Sequence, residues 1–218
     1  MKVKQFAVVG IGRFGASVAT TLYEMGHDVL AIDSSESKIE GIVDRVTHAV
    51  VADTTSETAL KSLGITNFDV VIVGIGQDVQ ASILTTLVLK ELGVKYIVAK
   101  ARTAQHGKVL QKIGADRIVF PERDMGTRVA HNLISTNVLD FIELSPDYSI
   151  VEIIVSDEMV GKTLRELDLR AKFGMNVMAI RTVNRKINVS PIATDRLEEG
   201  DVLIVLGENT QIQLLGSD

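Results

Sequence analysis

The chain has 218 residues, 46% of them hydrophobic but only 4% aromatic, with no cysteine or tryptophan and a formal net charge of -5. That length suits one ordinary domain plus a smaller second one, both with aliphatic cores. A net negative charge without a basic block argues against nucleic acid as the main partner, and the missing cysteines exclude disulfides, thiolate metal sites and a thiol nucleophile.

No apolar signal region follows Met1, and the apolar runs, such as VVIVGIG at 70–76, fall far short of the ~20 residues of a membrane span. A cytoplasmic location is expected, with any membrane link made through a partner.

In chain order, apolar runs alternate with helix-like segments, the pattern of a parallel sheet covered on both faces. Strands are predicted near 5–9, 27–32, 48–52, 68–74, 96–101 and 117–120, and helices at 12–25, 36–44, 55–63, 78–92, 104–113 and from Pro121 onward. This is a Rossmann-like, doubly wound α/β unit that is complete by about residue 135. In the sixth helix Met125, Val129 and Leu133, with Ala130 and Ile134, recur at i and i+4. Such a stripe either packs on its own sheet or forms a subunit interface.

Past a boundary expected within 135–145, shorter segments alternate between apolar and polar residues. The sequence divides into a nucleotide-binding domain at 1–135 and a small α+β domain at 136–218. In the second, strands are expected near 138–144, 149–155, 175–181, 186–190 and 201–206, with a helix near 163–169 and another after Glu208.

The chemistry concentrates in VVGIGRFGASVATTL, 8–22, where Gly10, Gly12 and Gly15 form G-x-G-x-x-G between a strand and a helix. The first glycine makes the turn, the second admits a phosphate to the backbone, and the third lets helix pack on strand. Arg13, followed by Phe14, places a cation beside that anion. The second strand ends in Asp33, 33 - 15 = 18 residues after the last glycine, where an acid accepts hydrogen bonds from ribose hydroxyls and repels a 2′-phosphate. Its alternative is a turn or cap acid before the second helix. Asp53 and Thr54 end the third strand where an adenine would lie, and Gly74 and Gly76 end the fourth near the ribose or phosphates, unless both pairs are ordinary turns.

The segments FAVVGIGRFG, VIVGIGQDVQASILTTLVLKELG, KVLQKIGADRIVFPERDMG and GKTLRELDLRAKFGMNVMAIR resemble the cytosolic regulatory subunits of Ktr-type potassium transporters, in the regulator-of-potassium-conductance (RCK, or KTN) domain family. The similarity runs over essentially the whole chain. It implies a gating role, with ATP or ADP in the crevice and Arg13 facing the phosphates; NAD(H), with only a pyrophosphate there, gains less from that cation. It also implies a dimer that builds an octameric ring against a potassium-conducting integral membrane subunit.

Through the same resemblance Glu122, in PERDMG, comes close to a neighbour's nucleotide, where it would meet the neighbour's Arg13 or share a divalent cation, magnesium or calcium, with the phosphates. Otherwise it is an acid in a first helical turn, favoured by the helix dipole. Lys100, ending the fifth strand, is a further candidate phosphate cation. LRELDLRAKFG and VSPIATD resemble the part of the second domain that forms a symmetric cleft for cyclic di-AMP, with Arg170 on the phosphate and Leu164, Val177 and Pro191 framing the bases. An arginine in a surface loop is otherwise simply solvated.

Catalysis finds little support, so the chain is read as a non-enzyme. His27, His48, His106 and His131 lack metal-ligand spacing, no Ser-His-acid arrangement stands out, and no Walker A lysine motif marks an ATPase. The competing readings are an NAD(H)-dependent oxidoreductase and a stand-alone nucleotide sensor, because a nucleotide fold does not fix function.

Overall fold

The computed structural model describes residues 3–134 and 138–215. By internal contacts the chain divides into two units, Met1–Arg123 and Asp124–Asp218.

The first unit runs β1 (Gln5–Val9), α1 (Arg13–Glu24), β2 (Asp28–Asp33), α2 (Glu36–Glu40), β3 (His48–Val51), α3 (Glu57–Ser62), β4 (Val70–Val73), α4 (Val79–Glu91), β5 (Ile97–Lys100), α5 (Ala104–Ile113) and β6 (Arg117–Val119). All six strands are parallel, in the order β3-β2-β1-β4-β5-β6. The order reverses between β1 and β4, and the crevice outside their carboxyl ends is where ligands bind in such sheets. Burial on both faces explains the unbroken apolar strands: Ala7, Val8, Val9, Ile32, Val71 and Val73 all lie in the core. Ser56, Asp78 and Thr103 cap α3, α4 and α5 by accepting from backbone N–H groups of the first turn. The second helix is shorter than expected, because Gly41 ends it and a 3-10 turn at Val43–Arg45 takes up the rest.

Helix α6 spans Pro121–Ile134, so the contact division cuts through it. The boundary expected within 135–145 starts on residues 135–137, which lie outside those described. Residues 122–130 of α6 are all exposed. Met125, Val129 and Leu133 are 54%, 48% and 81% exposed. The side chain of Ile134 lies outside those described.

The second unit holds β7 (Val138–Glu143), β8 (Tyr148–Ile154), α7 (Leu164–Leu167), α8 (Leu169–Phe173), β9 (Asn176–Arg181), β10 (Ile187–Asn188), β11 (Val202–Glu208) and α9 (Asn209–Leu215). Its strands form an antiparallel sheet in the order β10-β9-β11-β8-β7, with β11 paired to β8 over its whole length. Val151, Ile153, Leu167, Leu169, Met175, Leu203 and Val205 make its core. The single helix expected near 163–169 is two, because Asp168 adopts a left-handed conformation (φ 47°) between α7 and α8.

Candidate nucleotide-binding site

The glycine loop leaves β1 at Gly10, whose φ of 91° only glycine takes readily and whose N–H donates to the Ile32 carbonyl at 2.8 Å. A Cβ on Gly15 would lie 2.0 Å from the Gly10 carbonyl oxygen, and one on Gly74 would lie 2.8 Å from the same atom. These glycines let backbone meet backbone. Gly12 differs: a Cβ there would meet nothing within 4 Å, and the residue is the N-cap of α1 without a side-chain cap bond. Its lack of a side chain therefore serves no contact inside the chain. It leaves room over the start of a helix, the geometry that suits a phosphate group.

Arg13, the first residue of α1, is exposed. Lys100, at the end of β5, runs back across Gly76, where a Cβ would come within 3.1 Å of Nζ. Its ammonium lies 5.7 Å from the centre of the Phe14 ring and donates to Glu122 Oε1 at 2.5 Å. That hydrogen bond holds the Glu122 carboxyl below the usual glutamate range, and the charge of Arg13 adds to the effect. Arg13, Phe14, Gly76, Lys100 and Glu122 thus gather into one cluster at the carboxyl ends of β1, β4 and β5. Within a single chain, Glu122 meets Lys100 rather than an arginine of a neighbour.

Asp33 ends β2 and is 5% exposed. Its Oδ2 accepts from the Ile11 N–H at 2.7 Å, its Oδ1 accepts from the Ser35 N–H at 2.9 Å, and Lys38 Nζ approaches both oxygens, at 3.1 and 3.2 Å. The acid ties the glycine loop to the end of β2. Lys38 was not singled out in the sequence, although a lysine in the helix directly after a strand-end acid could have drawn notice.

Asp53 and Thr54 follow β3, beside Asp33: the Ala52 N–H donates to the Asp33 carbonyl at 3.0 Å. Asp53 Oδ1 accepts from the Thr55 hydroxyl at 2.7 Å and from its N–H at 2.9 Å, and these bonds lower its pKa. The Thr54 hydroxyl turns inward to the Thr85 hydroxyl on α4, 3.1 Å away. The Gly74 N–H donates to the Val9 carbonyl at 2.6 Å, which makes Gly74 a support beneath the loop.

In the second unit, Leu164 and Val177 are half-buried against its core, Pro191 is half-buried and Arg170 is exposed on α8. Thr163 and Glu166 form a capping box at the start of α7, and the Thr163 N–H holds the Glu166 carboxyl below its usual range. The Leu164 and Arg165 N–H groups donate to the Asp195 and Ala193 carbonyls, which brings α7 beside the segment that follows Pro191.

Among the described residues no group of three or more His, Asp or Glu side chains could hold a metal ion. None of the described helices is long and apolar enough to cross a membrane.

The TrkA-N domain model matches residues 6–121 and the TrkA-C domain model residues 149–217. The chain is 52% identical over 209 residues to the Ktr system potassium uptake protein C of Bacillus subtilis, covering 96% of this chain and 94% of that protein. It is 47% identical over 213 residues to the Ktr system potassium uptake protein A of the same organism, covering 98% and 96%. Among solved structures, the GsuK RCK domain matches with a TM-score of 0.68 at 18% identity, covering all of this chain and 48% of that one, a likeness of fold. With each domain model lying within one of the two units and identity near one half over almost its whole length, the chain belongs to the RCK family of Ktr-type potassium-uptake regulatory subunits.

Proposed function

We propose that the chain is a gating subunit that binds ATP or ADP in the crevice beyond β1 and β4 and thereby controls a potassium-conducting membrane partner from the cytoplasmic side. The observation that carries this reading is that Arg13 opens α1 at its uncapped, side-chain-free start while the Lys100 ammonium lies by Phe14, the next residue. Two cations and a helix N-terminus suit a polyphosphate better than a single phosphate. Asp33 addresses the ribose, Phe14 backs Lys100, and the turn at Asp53 and Thr54 lies toward the base.

Arg13, a permanently charged fork of donors, distinguishes a third phosphate from two. Glu122 takes part by holding Lys100, by meeting Arg13 of a neighbouring copy, or by sharing a divalent cation with the phosphates. The exposed stripe on α6 supports a homo-oligomer, a dimer that builds an octameric ring. In the second unit Arg170, Leu164, Val177 and Pro191 would contribute to a cleft for cyclic di-AMP between two copies. Control requires that each ligand bind one ring state more tightly than the other.

Calorimetry on the purified chain with ATP, ADP, NADH, NAD and cyclic di-AMP tests this. Adenine nucleotides are expected to bind at least as tightly as NADH. A clear preference for NADH, together with hydride transfer to a small carbonyl compound, would replace the reading with an oxidoreductase.

A further inference from the structure

The four acceptor positions of Asp33 are shared among three partners within the chain. A carboxylate offers about four lone-pair directions. The Ile11 N–H uses one on Oδ2, the Ser35 N–H uses one on Oδ1, and Lys38 Nζ bridges what remains on both oxygens, at 3.1 and 3.2 Å. The two backbone donors are fixed by the glycine loop and by the turn into α2. Lys38 is the partner that can leave: its side chain is 48% exposed against 6% for Asp33, so its ammonium can turn to water while the carboxylate cannot. The lysine side of the pair is open to water, which can solvate the ammonium when another donor takes its place.

The two positions that Lys38 occupies are those that two ribose hydroxyls, one to each oxygen, need. We infer that Lys38 is the residue that sets selectivity at the ribose 2′ position, an inference that rests on the nucleotide reading above. It acts by competition. Every ribose that reaches Asp33 must first displace an ammonium, so the 2′-hydroxyl contributes less to affinity than a lone acid in this place would give. The same ammonium offsets the negative charge that makes a lone acid reject a 2′-phosphate. The expectation that Asp33 excludes 2′-phosphorylated ligands is weakened by this partner.

The test is calorimetry of ATP and 2′-deoxy-ATP on the full chain as wild type, Lys38→Met and Lys38→Arg. Wild type and Lys38→Arg are expected to bind the two nucleotides within about threefold of each other, whereas Lys38→Met should widen the ratio to about tenfold in favour of ATP, mainly by tighter ATP binding. Thermal unfolding without ligand checks that each variant is folded. If Lys38→Met is not, Lys38→Gln, whose amide still donates to Asp33, is read in its place and should give a ratio above that of wild type. An unchanged ratio in a folded variant, or equal loss of both nucleotides, overturns the proposal and leaves the nucleotide reading standing. Failure of ATP to bind the wild-type chain at all overturns both.

Discussion

Lys100 and Glu122, 22 residues apart in sequence, meet at 2.5 Å beside the glycine loop, with the amine 11% and the carboxylate 70% exposed. The half-buried partner is the cation that the proposed phosphates need, and the exposed partner stands at the start of α6, where the first unit ends.

Because Lys100 lowers the pKa of Glu122, the ion pair favours the folded state above the ordinary glutamate pKa, about 4.3, and that contribution is lost as pH falls through the lower folded value. Thermal unfolding of wild type and Glu122→Gln should therefore differ by a small constant amount at neutral pH, small because the carboxylate is solvated. The two curves should converge in acid below that ordinary value. A difference that grows as pH falls would contradict the pairing.

The glycines of the loop separate by function. Gly15→Ala places a methyl 2.0 Å from a backbone oxygen and should destabilise the fold by about 2 kcal/mol or more. Gly12→Ala meets open space and should change stability by less than about 1 kcal/mol, yet weaken ATP about tenfold. Denaturant unfolding and calorimetry on the two variants measure both quantities.

Arg13→Ala should weaken ATP on the order of ten- to a hundredfold, the worth of a charge-assisted hydrogen bond, and ADP by less. The control is Asp33→Asn rather than Asp33→Ala, since truncation would also leave the Ile11 and Ser35 N–H groups without an acceptor. That control should affect ATP and ADP about equally. Equal losses of both ligands in the Arg13 variant would make the arginine a loop support.

Leu133 is 81% exposed on α6, so Leu133→Asp should leave the unfolding temperature of the chain nearly unchanged while it disrupts assembly. Light scattering at micromolar concentration reads the outcome. A variant that keeps the wild-type mass would place the interface elsewhere.

The parallel sheet and the two-part design were legible because hydrophobic period and glycine spacing are local signals: the glycine run lies between β1 and α1, and Asp33 ends β2. Four features were not legible, each because it depends on a direction in space. Thr54 turns its hydroxyl to α4, which the phase of a turn decides. Lys100 finds Glu122 only once β5 and α6 are side by side. Lys38 reaches Asp33 because α2 starts two residues after Ser34 and brings its third residue back over the strand end. The break at Asp168 is a fourth case, a left-handed residue at a position without glycine.

The Gly10 carbonyl is held between Gly15 and Gly74 with no side chain to act as a cushion, and neither neighbour can yield without moving a whole strand or helix. The floor of the crevice is therefore stiff. A ligand that settles on it cannot be registered by bending the floor. On the nucleotide reading proposed above, what differs between one ligand and another falls to the side chains open to water around the rim, Arg13 and Lys38, while Lys100 is held in place by Glu122. In that division of labour the glycines act as the anvil and the cations as the gauge.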